Sequence, residues 1–406
     1  MPVVVGVPVS SDPKERRSPI VPAVVQKLKG LGVEVVVERG ATAGAYLDET
    51  SLEGVNWVDS TAEVLAASDV IWSVDPPSLE TIGQMREGTI LMGLLYPYSD
   101  RQRAELLASK KITAFASELI PRISRSQSMD VMSSQAACSG YQCVILAAAR
   151  APKFFPMLTY AAGTIRPSQV LVVGAGVAGL QAIATAHRLG AVVYGYDVRS
   201  EVKEQVESLG AKFVDVGVSA HGSGGYAREL TVEEKALQAE KLAKAVASAD
   251  VLITTAGVPG KRAPSIISES MVKGMKPGAV VIDMMAENGG NVWGTQPGQD
   301  VKVGNALVYG PVHLPSRMPV HASEMFSKNL LNFLTPMISD GLIKLDWEDK
   351  VVAGSCLTHD GQVVNKLVRQ VLGFDAEPDP TPGFIPTPTA SPSPDPAEEP
   401  TQAIKE

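Results

Sequence analysis

Three observations predict an α/β fold of two doubly wound units with parallel sheets, joined by long helices. Short β-rich runs alternate with helical patterns, which is the signature of βαβ units. The alternation falls into two sets, one before residue 130 and one from residue 169. Between them lies a proline-free, alanine-rich stretch, about 130–150, suited to one long helix. At 406 residues there is enough chain for two units that each bury a core.

In the first set the runs are VVVGVPV (3–9), VEVVVE (33–38), DVIWSV (69–74), TILMGLL (89–95) and ITAFAS (112–117), with helical patterns at 22–32, 61–68 and 100–110. The second set comprises QVLVVGAG (169–176), AVVYGYD (191–197), AKFVDV (211–216), DVLITTA (250–256), AVVIDMM (279–285) and ALVYG (306–310). Past residue 320, SEMFSKNLLNFLTPMI is amphipathic, helical and expected to fold back on the first unit. VVNKLVRQVLG follows a short acidic segment. The expected division is 1–133 plus 318–376 for one unit and 134–317 for the other, with the helices near 130–150 and 320–340 bridging them. From Glu377 the tail is rich in Pro, Ser, Thr and Glu, and 377–406 reads as a disordered linker.

A chain that is 45% apolar and 20% charged reads as soluble and globular. The net charge of −8 argues against a nucleic-acid surface, though not against a nucleotide held locally by backbone N–H groups. Three cysteines, Cys138, Cys143 and Cys356, have no metal spacing, and an odd number fits a reducing compartment. The five histidines are scattered, so no metal site is expected. MPVVVGVPVS lacks a basic leader and reads as a first strand. No stretch approaches the roughly 20 apolar residues of a membrane helix, so direct membrane insertion is not expected.

VLVVGAGVAGLQAIATAHRLGA places Gly174, Gly176 and Gly179 directly after an apolar strand and at the mouth of a helix. The first glycine makes the tight turn, the second lets the backbone approach a pyrophosphate, and the third allows close helix–strand packing. The helix N-terminus then holds phosphate. The next strand ends at Asp197, where a carboxylate takes the adenosine ribose hydroxyls and repels a 2′-phosphate, favouring NAD(H) over NADP(H). Arg199 softens that preference. Val177 and Val198, beside the glycines and the acid, complete the contacts expected of this Rossmann-type site.

Around this fingerprint, VVGAGVAGLQAIATA, YDVRSEVKEQVESLGAKFV, TTAGVPGKRAP, ENGGN and SKNLLNFLTP are similar to the soluble NAD(H)-binding α subunit of proton-translocating nicotinamide nucleotide transhydrogenase. ELIPRISRSQSMDVMSSQ resembles the same family, and the resemblance runs in order over about residues 3 to 375. Alanine dehydrogenase is a more distant relative, sharing the pattern that here reads KERRSPIVP (14–22). Its deamination chemistry uses a lysine and a histidine to hold the carboxylate and move protons. The lysine would fall within IWSVDPP (71–77), which has none, and Tyr96 stands where the histidine would. Arg17 remains, as able to pair with an acidic neighbour as to bind a substrate. The aspartate of a later motif corresponds to Glu287.

The resemblance implies direct hydride transfer between NADH here and NADP⁺ on a partner subunit, with proton translocation by membrane-spanning subunits. It also implies a homodimer and a cytoplasmic, peripheral position on an inner or thylakoid-type membrane. Because the chain ends before any membrane helix, a three-polypeptide enzyme is expected. An amino-acid dehydrogenase and an NAD-binding regulatory module are the alternatives.

The family's nicotinamide loop maps onto Arg122, Gln127 and Asp130, with Gln127 orienting the nicotinamide and Ser128 and Ser133 as further contacts. Ser128 could equally cap the following helix, with Asp130 in its first turn. HGSGGYAREL (221–230) corresponds to a mobile lid, so Gly225 and Tyr226 would close over NAD(H). Gln238 matches a family contact. At Gly257 relatives carry a larger apolar residue, so contact there would come from backbone. GGN (289–291) suits tight turns.

Overall fold

The computed structural model describes residues 2–217, 219–220, 228, 230–258, 260–339 and 341–374. The first sheet begins with β1 (Val4–Val7), β2 (Glu34–Glu38), β3 (Asn56–Val58), β4 (Val70–Trp72), β5 (Ile90–Gly93) and β6 (Thr113–Ala116), all parallel. Every residue of β4, β5 and β6 is buried. That explains why their sequences are continuously apolar, since strands covered by helices on both faces have no polar side to show. The connecting helices carry local start signals. Pro22 opens Pro22–Gly30, Ser60 and Glu63 form a capping box on Thr61–Ala67, and Asp100 caps Arg101–Ser109.

A small antiparallel hairpin, β7 (Leu158–Tyr160) and β8 (Gly163–Ile165), precedes the second sheet. That sheet contains β9 (Gln169–Val173), β10 (Val192–Tyr196), β11 (Lys212–Phe213), β12 (Val251–Thr254), β13 (Val280–Asp283), β14 (Asp300–Val303) and β15 (Ala306–Tyr309). Its order is β11-β10-β9-β12-β13-β15-β14, so the winding reverses between β9 and β12. The chain then returns through helix Pro319–Leu334 and a minor hairpin, β16 (Ile338–Ser339) and β17 (Leu342–Ile343), to β18 (Cys356–His359) and β19 (Gln362–Val363). These last two join the first sheet, giving β19-β18-β6-β5-β4-β1-β2-β3.

The expected parallel sheets hold for the central strands and give way at the edges. β14 runs antiparallel to β15, and β18 antiparallel to β6 and β19. A strand joined by a tight turn, as β14 is to β15, has no crossover to reverse its direction. The edge strands β3 and β14 and the hairpin β7–β8 lie outside the runs the sequence announces.

Helix Val131–Arg150 spans the two cores. Val131 packs in the cluster of the first sheet, whereas Cys143, Val144 and Ala147 pack in that of the second. Helix Pro319–Leu334 does not bridge in this way. Its Phe326, Leu330, Phe333 and Leu334 all enter the first core, where Phe333 meets Phe115 edge to face with centroids 5.4 Å apart. Cys138, Cys143 and Cys356 are buried free thiols, as core packing requires.

Candidate functional site

The glycine turn is built by contacts that no side chain could share. Gly174 leaves β9 at φ +98°, and its N–H donates to Tyr196 O at 2.8 Å. A Cβ on Gly179 would lie 1.8 Å from Gly174 O, so only glycine lets the helix Val177–Arg188 sit this close to the turn. Gly176 is the N-cap residue, exposed and with nothing within 4 Å of a Cβ placed on it. No side chain caps this helix, leaving its first N–H groups facing an open approach. Val177 is exposed at that mouth.

Asp197 ends β10 and is 8% exposed. Its Oδ2 accepts from Ala175 N and Arg199 Nη2, both at 2.8 Å, and its Oδ1 from Arg199 N and Nε at 2.9 Å. Arg199 therefore covers the acid at the place where the sequence predicts ribose hydroxyls. Half-buried Val198 packs against the core below. Gln238 is buried and donates to the Tyr196 hydroxyl at 2.7 Å, a supporting position one residue before Asp197. Burial, together with the Asp197 charge, pushes the Tyr196 phenol up to about 12.

The TTAGVPG segment follows β12, at the reversal point where open α/β sheets hold ligands outside their strand ends. Thr255 N and Oγ1 tie it to Val173 O at 2.9 Å and Gly174 O at 3.0 Å. Asn291, fully buried, holds Ala256 through N–H at 3.1 Å and C=O at 2.8 Å. Buried Asp283 accepts from Asn291 N, Val292 N and the Thr254 and Thr295 hydroxyls. Gly289 and Gly290 make the expected turns with φ of +96° and +74°. Sequence reasoning misses the bracing role of Asp283 and Asn291. Its only signals are an acid ending a buried strand and the asparagine of GGN, which suits a turn equally well. At Gly257 an added Cβ would meet only the flexible end of Met285, 2.4 Å away. Gly225 and Tyr226 lie outside the described residues.

The 122–133 segment folds as a 3-10 turn, Ser124–Met129, leading into helix Val131–Arg150. The helix is capped by Asp130, not Ser128. Asp130 Oδ1 accepts from Ser133 N at 2.9 Å and Oδ2 from Ser133 Oγ at 2.6 Å. Both residue types cap well, and the one whose backbone immediately precedes the first helical turn takes the role. Arg122, Gln127 and Ser128 are exposed. Arg122, Gln127, Asp130 and Ser133 line one open hollow of about 550 Å³ together with Ile120, Pro121, Ile123, Ser124 and Ser126. Beneath it, Ser126 Oγ bonds Pro121 O, and Arg125 pairs with Asp349.

One helix connects the loop and the glycine turn. Gly140 of Val131–Arg150 meets Ala178, where a Cβ would be 2.1 Å from the Ala178 carbonyl. It lies ten residues, or ~15 Å, along the helix from Asp130. The loop at one end and the fingerprint at the other are thus set by a single rigid element.

The groups expected to move protons in an amino-acid dehydrogenase are differently arranged. Arg17 is pinned to Glu15 at 2.6 Å with both side chains buried, so it has taken the acidic neighbour. Glu15 is held below the usual range by Arg17 and Ser316, against the opposing effect of burial. Ser73 and Asp75 occupy the lysine-free segment, and burial with the nearby Glu15 charge pushes Asp75 up to about 6. Tyr96 sits at φ +47°, its N–H donating to Glu118 Oε1 at 2.8 Å. Glu118 also accepts from Leu95 N at 3.0 Å, yet burial raises it to about 7. Glu287 accepts from His313 N at 3.1 Å.

Residues 6–139 match the alanine dehydrogenase/PNT N-terminal domain and residues 143–366 the corresponding C-terminal domain. An NAD(P) transhydrogenase subunit alpha of Rhodospirillum rubrum is 45% identical over 374 residues, covering 89% of this chain and 97% of that protein. The chain belongs to the NAD(P) transhydrogenase alpha-subunit family. The corresponding alpha subunit of Rickettsia prowazekii is 40% identical over 364 residues, covering 88% of this chain and 94% of that protein. A transhydrogenase structure from Sinorhizobium meliloti superposes with a TM-score of 0.79 at 39% identity, over 90% of this chain and 99% of that one. Alanine dehydrogenase of Mycobacterium tuberculosis stands further off, at 25% identity over 91% of this chain and 96% of that protein. In this transhydrogenase-family chain, among the described residues, no helix is long and apolar enough to cross a membrane.

Proposed function

We propose that this chain binds NAD(H) and exchanges hydride directly with NADP(H) held on a partner subunit, while membrane-spanning partners translocate protons. The observation that carries the reading is the pairing of two features on one helix. A built phosphate turn packs on its middle, and an exposed Arg122–Gln127–Asp130 face stands at its start, with Arg17 already locked on Glu15. The residues suit a dinucleotide. Gly176 opens the turn to a pyrophosphate, the uncapped helix start offers N–H donors, and Asp197 takes ribose hydroxyls once Arg199 turns aside. Bound NADH supplies the transferable hydride at its nicotinamide.

The protein's own task is then to orient and to exclude water. Gln127 aligns the carboxamide side, Arg122, Ser128, Asp130 and Ser133 hold the neighbouring ribose, and no side chain needs to take a proton. Gly225, Tyr226 and Val177 would close over the cofactor, while Gln238 steadies Tyr196 beneath Asp197. Gly257 would present backbone. The unit division 1–133 plus 318–376 against 134–317 is supported by β18 and β19 joining the first sheet. Exposed Phe154, Met157, Tyr160 and Ile165 on and beside the β7–β8 hairpin support a homodimer. Attachment to membrane partners would place the chain peripherally on an inner or thylakoid-type membrane, facing the cytoplasm.

Mixing the purified chain, loaded with NADH, with an NADP⁺-loaded partner subunit tests the proposal. NADPH should appear without added substrate, and Gln127→Asn should slow its appearance. Steady NADH formation from alanine and NAD⁺ would instead favour an amino-acid dehydrogenase, and absence of any exchange would favour a regulatory NAD-binding role.

A further inference from the structure

A line of polar groups runs from Arg17 to the loop that carries Gln127. Arg17 Nη1 donates to Gln135 Oε1 at 3.0 Å. The other end of that amide, Nε2, donates to Ala322 O at 3.1 Å and Ser134 Oγ at 3.2 Å. Ser134 Oγ lies 2.7 Å from Asn329 Oδ1, its acceptor, with Val131 O at 3.0 Å as the second choice. Asn329 Nδ2 then donates to Ser128 O at 2.8 Å, and Asn332 Nδ2 donates to the same carbonyl at 3.0 Å. Ser128 is the residue after Gln127.

Each amide has only one orientation that works. Gln135 must turn its oxygen to the guanidinium and Asn329 its oxygen to the hydroxyl, which leaves both NH₂ groups facing acceptors. Arg17, Gln135 and Asn329 are 8%, 6% and 8% exposed, so a lost partner leaves a buried group unsatisfied and the network resists rearrangement. The segments it ties, residues 17, 134–135 and 329–332, come from three distant parts of the chain.

We propose that this network fixes the Gln127 face of the loop, with Asn329 and Arg17 as positioning residues. Arg17 is its far anchor rather than a group that meets substrate. Asn329 and Asn332 clamp the backbone of the loop so that Gln127 projects from a fixed carbonyl. The consequence for rate rests on the hydride-exchange reading; the consequence for loop rigidity does not.

Three variants of the full chain test it. Asn329→Asp is isosteric but turns a carboxylate oxygen toward the Ser128 carbonyl. Arg17→Lys keeps a cation for Glu15 yet cannot also span to Gln135. Ser134→Ala removes one hydroxyl in between and keeps the test decisive if Asn329→Asp fails to fold. Hydrogen–deuterium exchange of the 122–133 amides should quicken about tenfold in Asn329→Asp, and detectably in Arg17→Lys and Ser134→Ala, with Ser134→Thr restoring protection. Single-turnover hydride transfer at saturating NADH should fall about tenfold in Asn329→Asp, with the Kd for NADH shifting less than about threefold. Unchanged protection of the loop in both Asn329→Asp and Ser134→Ala overturns the inference, whatever the rates do. If the wild-type chain exchanges no hydride with its partner, the functional reading falls, and loop protection alone still decides the network.

Discussion

The glycine turn and the 122–133 loop are held in opposite ways. At the turn the polar groups are occupied within the fold, down to Asp197 and its four hydrogen bonds. In the loop the backbone is fastened from behind while Arg122, Gln127 and Ser128 stand exposed. The turn is made for grip, since backbone donors and close packing tolerate no change of shape. The loop is made for presentation, since its side chains face outward and can be exchanged without disturbing the core. Affinity should therefore reside mainly in the first region and reactivity in the second.

The largest effect should come from Gly179→Ala. A methyl 1.8 Å from Gly174 O must push the helix from the turn, lowering NADH affinity about a hundredfold and stability by about 2 kcal/mol. Titration of intrinsic fluorescence with NADH and chemical denaturation would measure both; intact affinity would break the contrast between the regions. Gln127→Asn should do the reverse, cutting the hydride-transfer rate about thirtyfold with NADH affinity within about threefold. A large loss of affinity in this variant would show that the loop grips as well as presents.

A third effect sharpens the comparison through pH. Glu118 sits just before the loop, and its folded value near 7 exceeds the ordinary 4.5. The folded state thus binds a proton that the unfolded state has released between these values. Its favourable contribution is full below about pH 4.5 and is lost as pH rises through 7. Glu118→Gln keeps an oxygen for Leu95 and Tyr96 and should stabilise the chain at pH 8 by about 1 kcal/mol, with the gap closing toward pH 5. Melting curves across that range test it; a constant gap would exclude titration of Glu118. Asp130→Asn should matter least for folding. Asparagine caps as well as aspartate, so stability should change by less than about 0.5 kcal/mol, read by denaturant midpoint.

The turn is legible in the sequence because its physics is local. A strand, three glycines, a helix and an acid at the next strand end all lie between Val170 and Asp197. The alternating runs likewise announce the central strands of both sheets, whose burial on two faces writes itself into composition. The three-residue edge strand β3 is too short to show a period, and polar β14 is exposed along most of its length. The cap lies two residues beyond Ser128 because serine and aspartate are both good caps, and only the backbone decides between them. Asn329 and Asn332 are invisible as loop partners because they act across about 200 residues of sequence, through a carbonyl that has no side-chain signature.

The late return of β18 to β6 also governs how the molecule is made. Thr358 reaches back to Ile112 across 246 residues, and Cys356 pairs with Phe115. During synthesis β6 is therefore an open edge until the chain beyond residue 363 has left the ribosome, while everything the second sheet requires is already complete. The nucleotide-binding half can mature first, and a nascent chain stalled before Cys356 carries an unpaired, apolar strand ready to join another copy.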